Sequence, residues 1–178
     1  ISKKLNSEGI EVHLLGEPLN IKNFAPWISK ISSIIVSPGI DWDHISLKEL
    51  RSNGIKMKGE AGFAWKRLNH IPSIGITGTN GKTTVTNMLN HVLNLNSLDS
   101  NMGGNVGKAL SEIALEIKQK NSQKLNWLVL ELSSYQIEAS PKIKPSIGIW
   151  TTFTPDHLER HHDMETYFQI KKCLLEQS

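Results

Sequence analysis

One decapeptide constrains this chain more than any other feature. It reads Gly75-Ile-Thr-Gly-Thr-Asn-Gly-Lys-Thr-Thr84 and joins a short apolar run, 74–77, to a stretch of helical periodicity, 82–95. Backbone N–H groups with no Cβ in the way make a nest for an anion, and Gly78 and Gly81 suit that turn. A helix starting at Lys82 points the positive end of its dipole at the same place. Thr79, Asn80 and Thr84 complete the loop. Lys82 reaches toward the β- and γ-phosphates of a nucleotide, and the Thr83 hydroxyl suits Mg²⁺. One position departs from the general spacing, which wants a glycine where this chain has Ile76. The bland alternative is a glycine-rich turn with an incidental lysine. The strand before it and the amphipathic helix after it favour a phosphate loop.

The surrounding pattern alternates strand and helix. Short β-type runs are expected at 10–15, 33–37, 74–77, 127–132 and 147–151. Helices are expected at 23–31, 47–53, 62–68, 82–95 and 106–117, and the polar stretch 118–126 reads as a surface loop. On 82–95 the inward stripe is expected to be Val85, Met88, Leu89 and Val92. On 106–117 it is Val106, Ala109, Leu110, Ile113 and Ile117. Such alternation builds a parallel sheet, hence an α/β fold. The pattern restarts at His70-Ile-Pro-Ser73, where a domain boundary is placed. The chain opens on what reads as a helix stopped at Gly9 and closes inside a helical pattern with Tyr167, Ile170, Leu174 and Leu175 on one face. A fragment cut at both ends is therefore expected.

Composition excludes several classes. A net charge of +3 with no long Lys/Arg run leaves no footprint for nucleic acid. No apolar stretch approaches the roughly 20 residues of a membrane span. The single cysteine, Cys173, can close no intrachain disulfide, so a reducing, cytoplasmic setting is expected. No general base or metal-ligand spacing is read around it, and it reads as a small helix residue.

The variant Thr-Gly-Thr-Asn-Gly-Lys-Thr-Thr resembles the ATP loop of the Mur ligases and their folylpolyglutamate synthase relatives. Four further segments follow that family's order: Val36-Ser-Pro-Gly-Ile40, Gly103-Gly-Asn-Val-Gly107, Glu131-Leu-Ser-Ser-Tyr-Gln-Ile-Glu138 and Thr154-Pro-Asp-His-Leu-Glu-Arg-His161, with a Tyr167-x-x-x-Lys171 pair after them. The resemblance implies the remainder of a Rossmann-like domain for a UDP-substrate over 1–70. Over 71–178 it implies most of a P-loop ATPase-type central domain with a mainly parallel sheet. The family's third domain, which receives the amino acid, is expected to lie outside the 178 residues, so they are expected not to ligate by themselves. The Ser-Pro-Gly-Ile loop and Glu-Leu-Ser-Ser-Tyr-Gln look most like the branch that adds D-glutamate. The implied partners are a UDP-sugar-peptide precursor, ATP and D-glutamate, with a monomer as the expected state.

The resemblance also assigns roles. ATP phosphorylates a carboxylate to an acyl phosphate, which an amine attacks, so cations must offset the meeting of anions. Glu131 ends an apolar strand, where a carboxylate is costly without a cation, and Mg²⁺ shared with Thr83 supplies one. The alternative is a strand-end glutamate turned to solvent. By resemblance His157 holds a second Mg²⁺, together with Lys171 carbamylated by CO₂; Lys82, His157 and Lys171 form the catalytic set. The competing reading of Lys171 is a solvent-facing lysine, with Lys172 one register away. His161 and His162 are expected at the surface. Asn105, Ser133 and Gln136 are assigned to the muramoyl-alanine part of the precursor, with turn chemistry and helix capping as the alternatives. Pro38 and Gly39 would shape the loop near the sugar-nucleotide. At Gly16-Glu17, where a uridine contact is plausible, there is no basic residue. A kinase or transport ATPase, another ligase of the family and a non-catalytic nucleotide-binding module stay open.

Overall fold

A computed structural model of the chain describes residues 19–120, 125–176 and 178. The helix end at Gly9, the run 10–15 and the Gly16-Glu17 turn lie outside the described residues, as does part of the 118–126 loop. The described residues fall into two compact units, 19–34 with 42–56 and 35–41 with 57–178.

In the smaller unit, a helical stretch was expected over 23–31. The chain instead makes a 3₁₀ turn, Ile21–Phe24, followed by irregular turns. Pro26 contributes to the difference: it has no N–H to donate, so the helical hydrogen-bond ladder is broken there even though Ala25 keeps helical angles (φ −48°, ψ −43°). Helix α1 (Ile45–Ser52) buries Leu47 and Leu50, and it is capped by His44, whose Nδ1 accepts from the Ser46 N–H at 3.1 Å. Gly54, at φ +80°, turns the chain out of the helix. Strands β1 (Ser33–Val36) and β2 (Lys56–Gly59) pair as a separate two-stranded sheet. The second was not foreseen, because Lys-Met-Lys-Gly has no apolar alternation to reveal it.

The larger unit is built on a four-stranded parallel sheet of order β4-β5-β3-β6, made of β3 (Ser73–Thr77), β4 (Ser100–Gly104), β5 (Trp127–Glu131) and β6 (Ile147–Trp150). The phosphate-loop strand β3 is therefore central, flanked by β5 and β6. Strand β4 was not foreseen either; its Ser-Asn-Met-Gly-Gly sequence carries almost no strand signal, and pairing with β5 creates it.

Helices cover both faces. On one lies α3 (Lys82–Leu95), which packs Val85, Leu89 and Leu93 over Ile74, Ile76 and Val129. Met88 and Val92, expected inward, are exposed at 62% and 52%. The covering stripe runs i, i+4, i+8 from Val85, and Met88 and Val92 stand beside it on the same cylinder. The other face holds the larger core. There Leu128, Leu130 and Leu132 meet α2 (Glu60–Leu68), α4 (Leu110–Lys120), Ile137 of α5 (Ser134–Ala139) and Leu174 of α7 (Met164–Glu176). Helix α2, which precedes His70, contributes Ala61, Ala64, Trp65 and Leu68 to it. A helix was expected from 106, but α4 begins at Leu110. Gly107 is left-handed at φ +77°, and the Gly104 N–H reaches back to the Lys108 carbonyl at 2.9 Å, so 105–109 is a tight turn that leaves Ala109 exposed.

Leu68 is fully buried in the larger core. Leu68→Ala should cost about 2–5 kcal/mol in urea unfolding. A loss below about 1 kcal/mol would show that α2 is dispensable to this core.

Candidate functional site

The site forms where β3 and β5 end. A parallel register sets Ile74 beside Val129 and Ile76 beside Glu131, so these four share the face that α3 covers. Past the apolar pair, Glu131 meets the first turn of α3. It is 1% exposed, and both carboxylate oxygens are engaged: Thr83 Oγ1 donates to Oε2 at 2.8 Å, and Asn105 Nδ2 donates to Oε1 at 2.8 Å. The alternative of a strand-end glutamate turned to solvent is excluded. Asn105 is brought there by Gly104, at φ +109°, where a Cβ would run into the Glu131 carbonyl oxygen. That carbonyl in turn accepts from the Asn105 N–H at 2.8 Å.

The phosphate loop hangs on the segment that follows β6. The Thr79 N–H donates to the Thr152 carbonyl at 2.8 Å, the Asn80 N–H donates to Thr152 Oγ1 at 2.8 Å, and the Thr151 hydroxyl donates to the Asn80 carbonyl. Gly78, at φ +143°, lies so close that a Cβ would collide with Thr151 Oγ1. Gly81 is left-handed at φ +83° and starts α3. Thr84 is exposed in the first turn of that helix. Thr151 and Thr152 were not singled out from sequence; a Thr-Thr pair just past a strand was the available signal.

Two lysines converge on this loop. Lys82 Nζ donates to the carbonyls of Gly78 and Thr79 at 2.9 and 2.8 Å, and Lys171 Nζ donates to the same Gly78 carbonyl at 2.9 Å. Lys171 is 1% exposed, so the solvent-facing alternative is excluded; Lys172 pairs with Glu176 on the outer side of α7. Burial, and then the neighbouring Lys82 charge, lower the Lys171 pKa to about 8, with Asp156 opposing. Its ammonium also lies 4.6 Å from the centre of the Tyr167 ring. Tyr167, one turn earlier, shares a hydrogen bond with Thr79 Oγ1 at 3.3 Å.

His157 sits at φ +55° ahead of the one-turn helix α6 (Leu158–His161). A histidine held left-handed is the kind of strain that functional turns carry. Its Nε2 is 3.4 Å from Asp156 Oδ2, and its ring lies 5.0 Å from that of Tyr135. Among the described residues no three His, Cys, Asp or Glu side chains gather as a metal cluster. Thr83 and Glu131 do present hydroxyl and carboxylate oxygens together, the hard donors Mg²⁺ takes.

His161 corrects the sequence reading. Expected at the surface, it is 1% exposed, bonded through Nε2 to Ser134 Oγ at 2.8 Å and stacked on Tyr167 at 5.3 Å. Burial holds its pKa below the ordinary histidine range, so the neutral ring is favoured. The helix that turns it inward is a single turn, too short for any periodicity to reveal. His162 is exposed, as expected. Ser133 and Gln136 form a capping box at the start of α5, the Gln136 N–H reaching Ser133 Oγ at 3.3 Å and the Ser133 N–H reaching Gln136 Oε1 at 3.1 Å. Pro38 and Gly39 lie in the turn after β1, closed by the Ile40 N–H on the Ser37 carbonyl at 3.0 Å. Cys173 is half-buried on α7.

Comparison with known proteins identifies the family. The family description that matches residues 76–178 is the Mur ligase middle domain. The UDP-N-acetylmuramoylalanine–D-glutamate ligase of Prochlorococcus marinus (strain NATL2A) is 70% identical over 178 residues, covering all of this chain and 38% of the relative. The enzyme of the same name from Prochlorococcus marinus (strain MIT 9313) is 53% identical over 178 residues, again all of this chain and 38% of the relative. The chain thus spans about two fifths of the length of these curated relatives. Among solved structures, the UDP-N-acetylmuramate:L-alanyl-gamma-D-glutamyl-meso-diaminopimelate ligase from Neisseria meningitides matches with a TM-score of 0.55 at 18% identity, over 98% of this chain and 56% of its own. A MurF ligase from Thermotoga maritima in complex with ADP matches at 0.51 and 16%, over 85% and 42%. At such identities these two structures speak for the α/β fold alone.

Burial of Lys171 makes stability depend on pH. Its folded pKa of about 8 lies below its ordinary 10.5, so between these values the unfolded chain binds more protons. Stability attributable to this group should therefore rise with pH across that window. Lys171→Met removes the titration, so wild type should gain stability relative to the variant from about pH 8 to 10.5, read by denaturant midpoints. A constant difference across that range would contradict the buried amine.

Proposed function

The chain belongs to the Mur ligase family, and on that premise we propose that it serves an ATP-dependent amide ligase that adds D-glutamate to UDP-N-acetylmuramoyl-L-alanine, a step of peptidoglycan precursor synthesis. The geometry that carries the ATP chemistry is the buried Glu131 carboxylate bonded to Thr83 at the head of the phosphate-loop helix. The choice of D-glutamate is supported by the 70% identity to a ligase of that name.

In this reading residues 1–70 belong to the domain for the UDP-substrate and 71–178 to the ATP-binding centre. Gly78, Thr79, Asn80, Gly81, Thr83 and Thr84 wrap the nucleotide phosphates, and the dipole of α3 adds positive potential. Lys82 exchanges its two carbonyl partners for the β- and γ-phosphates. The precursor carboxylate attacks the γ-phosphorus, ADP leaves, and the resulting acyl phosphate is attacked by the amine of D-glutamate with loss of phosphate. Thr83 and Glu131 would hold one Mg²⁺, and His157 with a carbamylated Lys171 a second; when bound these neutralise charge between phosphate and carboxylate oxygens. Carbamylation needs an unprotonated amine, and the lowered Lys171 pKa makes one more available at neutral pH.

Pro38 and Gly39 face the sugar-nucleotide, while Asn105, Ser133 and Gln136 face the muramoyl-alanine. Asn105 can do so while holding Glu131, because its amide has a second N–H and an oxygen. Ser133 and Gln136 would act from the capped end of α5, so they orient the substrate from a fixed frame. A monomer in the cytoplasm, with no nucleic-acid partner, completes the reading. No described helix is long and apolar enough to cross a membrane.

A substrate panel on the full-length ligase tests the acceptor: D-glutamate should be used far better than other amino acids, and preference for another would replace this reading by another branch of the family. Lys82→Ala should abolish acyl-phosphate formation, a loss of several kcal/mol in the transition state. Near-normal turnover would mean the loop does not hold ATP. For Lys171, the comparison is Lys171→Ala against Lys172→Ala, with and without short carboxylic acids. Selective rescue of Lys171→Ala by the acid is expected. Unchanged activity on bicarbonate depletion, or a dead Lys172→Ala alone, would exclude the carbamate.

A further inference from the structure

Arg160 has no part in the chemistry above, yet it is one of the most heavily engaged charges in the larger unit. Its side chain is 13% exposed. Nη1 meets Asp41 Oδ1 at 2.9 Å, and Nη2 meets Glu138 Oε2 at 2.7 Å. The guanidinium also lies over the Tyr135 ring, 5.5 Å from its centre, and that ring is in turn 5.0 Å from the ring of His157. The planar fork thus serves two carboxylates on two different elements while its face rests on an aromatic ring, a combination lysine cannot reproduce. Exposed single ion pairs contribute little, but one largely buried guanidinium shared by two carboxylates leaves an uncompensated charge when a partner is lost.

Two of the three segments it joins carry residues assigned to the precursor, and the third follows His157. Asp41 ends the turn that contains Pro38 and Gly39. Glu138 belongs to α5, which is capped by Ser133 and carries Gln136 in its first turn. Arg160 itself lies on α6, where its own N–H and that of His161 bond to the His157 carbonyl at 3.0 Å each. Holding Arg160 therefore holds α6, and with it the left-handed turn that aims His157. The phosphate loop rests on other supports, the segment 151–154 and Lys171.

We propose that Arg160 is a positioning residue for the UDP-sugar-peptide precursor, clamping the 37–41 turn and α5 to the helix that follows His157. This rests on the ligase reading for the identity of the substrate. The clamp itself is a property of the fold and is testable without turnover. It acts on precursor binding and leaves nucleotide binding alone, because its partners lie on the substrate-facing segments.

The experiment uses the full-length ligase with Arg160→Met, Arg160→Lys, Asp41→Asn and the Arg160→Met/Asp41→Asn double variant. Arg160→Met should raise KM for the precursor roughly tenfold while KM for ATP stays within about twofold. Arg160→Lys should recover part of that loss, since an ammonium can still hold one carboxylate. Asp41→Asn should shift KM in the same direction by less, and the double variant should fall short of the sum, as coupled partners do. In parallel, amide hydrogen exchange at residues 37–41 should quicken in Arg160→Met, with no change at 78–84. An unchanged precursor KM, an equal rise for ATP and precursor, or unchanged exchange at 37–41 would each overturn the proposal. Should Arg160→Met fail to fold, Arg160→Lys and Asp41→Asn carry the same comparison. A wild-type protein that ligates no amino acid would defeat the ligase reading, and the exchange measurement would then decide the clamp by itself.

Discussion

A carboxylate at the end of a buried strand cannot stand alone, and Glu131 organises its surroundings accordingly. The strand that carries it is apolar throughout and sits between β4 and β3, so the carboxylate is delivered into a site with almost no access to water. Desolvating a charge there is costly unless hydrogen bonds offset the loss. Thr83 and Asn105 supply them, one from the head of the phosphate-loop helix and one from the glycine turn after β4. Both donors come from elements that flank β5, so the need of one carboxylate ties together the loop, the turn and the sheet. In the proposed function the same group is the one a divalent cation beside ATP would use.

Around that anchor the structure concentrates positive charge. Two lysines from helices on different sides of the loop share the Gly78 carbonyl. Burial first, and then the approach of the second ammonium group, lower the Lys171 pKa. Lys82 has an obvious relief in anionic phosphate, while Lys171, enclosed by Tyr167 and the loop, does not move as freely. Its proposed loss of charge through carbamylation fits that asymmetry. Arg160 is a third cation of a different kind: it is neutralised by carboxylates and aromatic contact, and its task is mechanical.

The core and the loop were legible because their signals are local and periodic. The glycines, lysine and threonines of the phosphate loop follow from what a phosphate chain demands of a backbone, and β3 and α3 were marked by apolar period. Weak points lay where pairing or a single turn decides. Lys-Met-Lys-Gly and Ser-Asn-Met-Gly-Gly became strands because a neighbour offered a ladder of hydrogen bonds. Met88 and Val92 were misplaced because a helix on a sheet buries a narrow stripe, and hydrophobic residues beside the stripe look the same in sequence. His161 was misplaced because one helical turn carries no period.

The sequence by itself determined the class of fold and the family, and it marked the glycine-rich turn between β3 and α3, since each rests on residue types at short fixed spacings. It also carried the order of the later segments, from the Pro38-Gly39 turn to Lys171. Only the tertiary structure decided which residues meet. Lys171 rather than Lys172 faces the loop, Asn105 bonds Glu131, Thr151 and Thr152 brace residues about seventy positions earlier, and Arg160 joins two carboxylates far apart in the chain. These are contacts between side chains remote in sequence. They depend on strand register and helix rotation, which the packing of the core sets and no local spacing encodes.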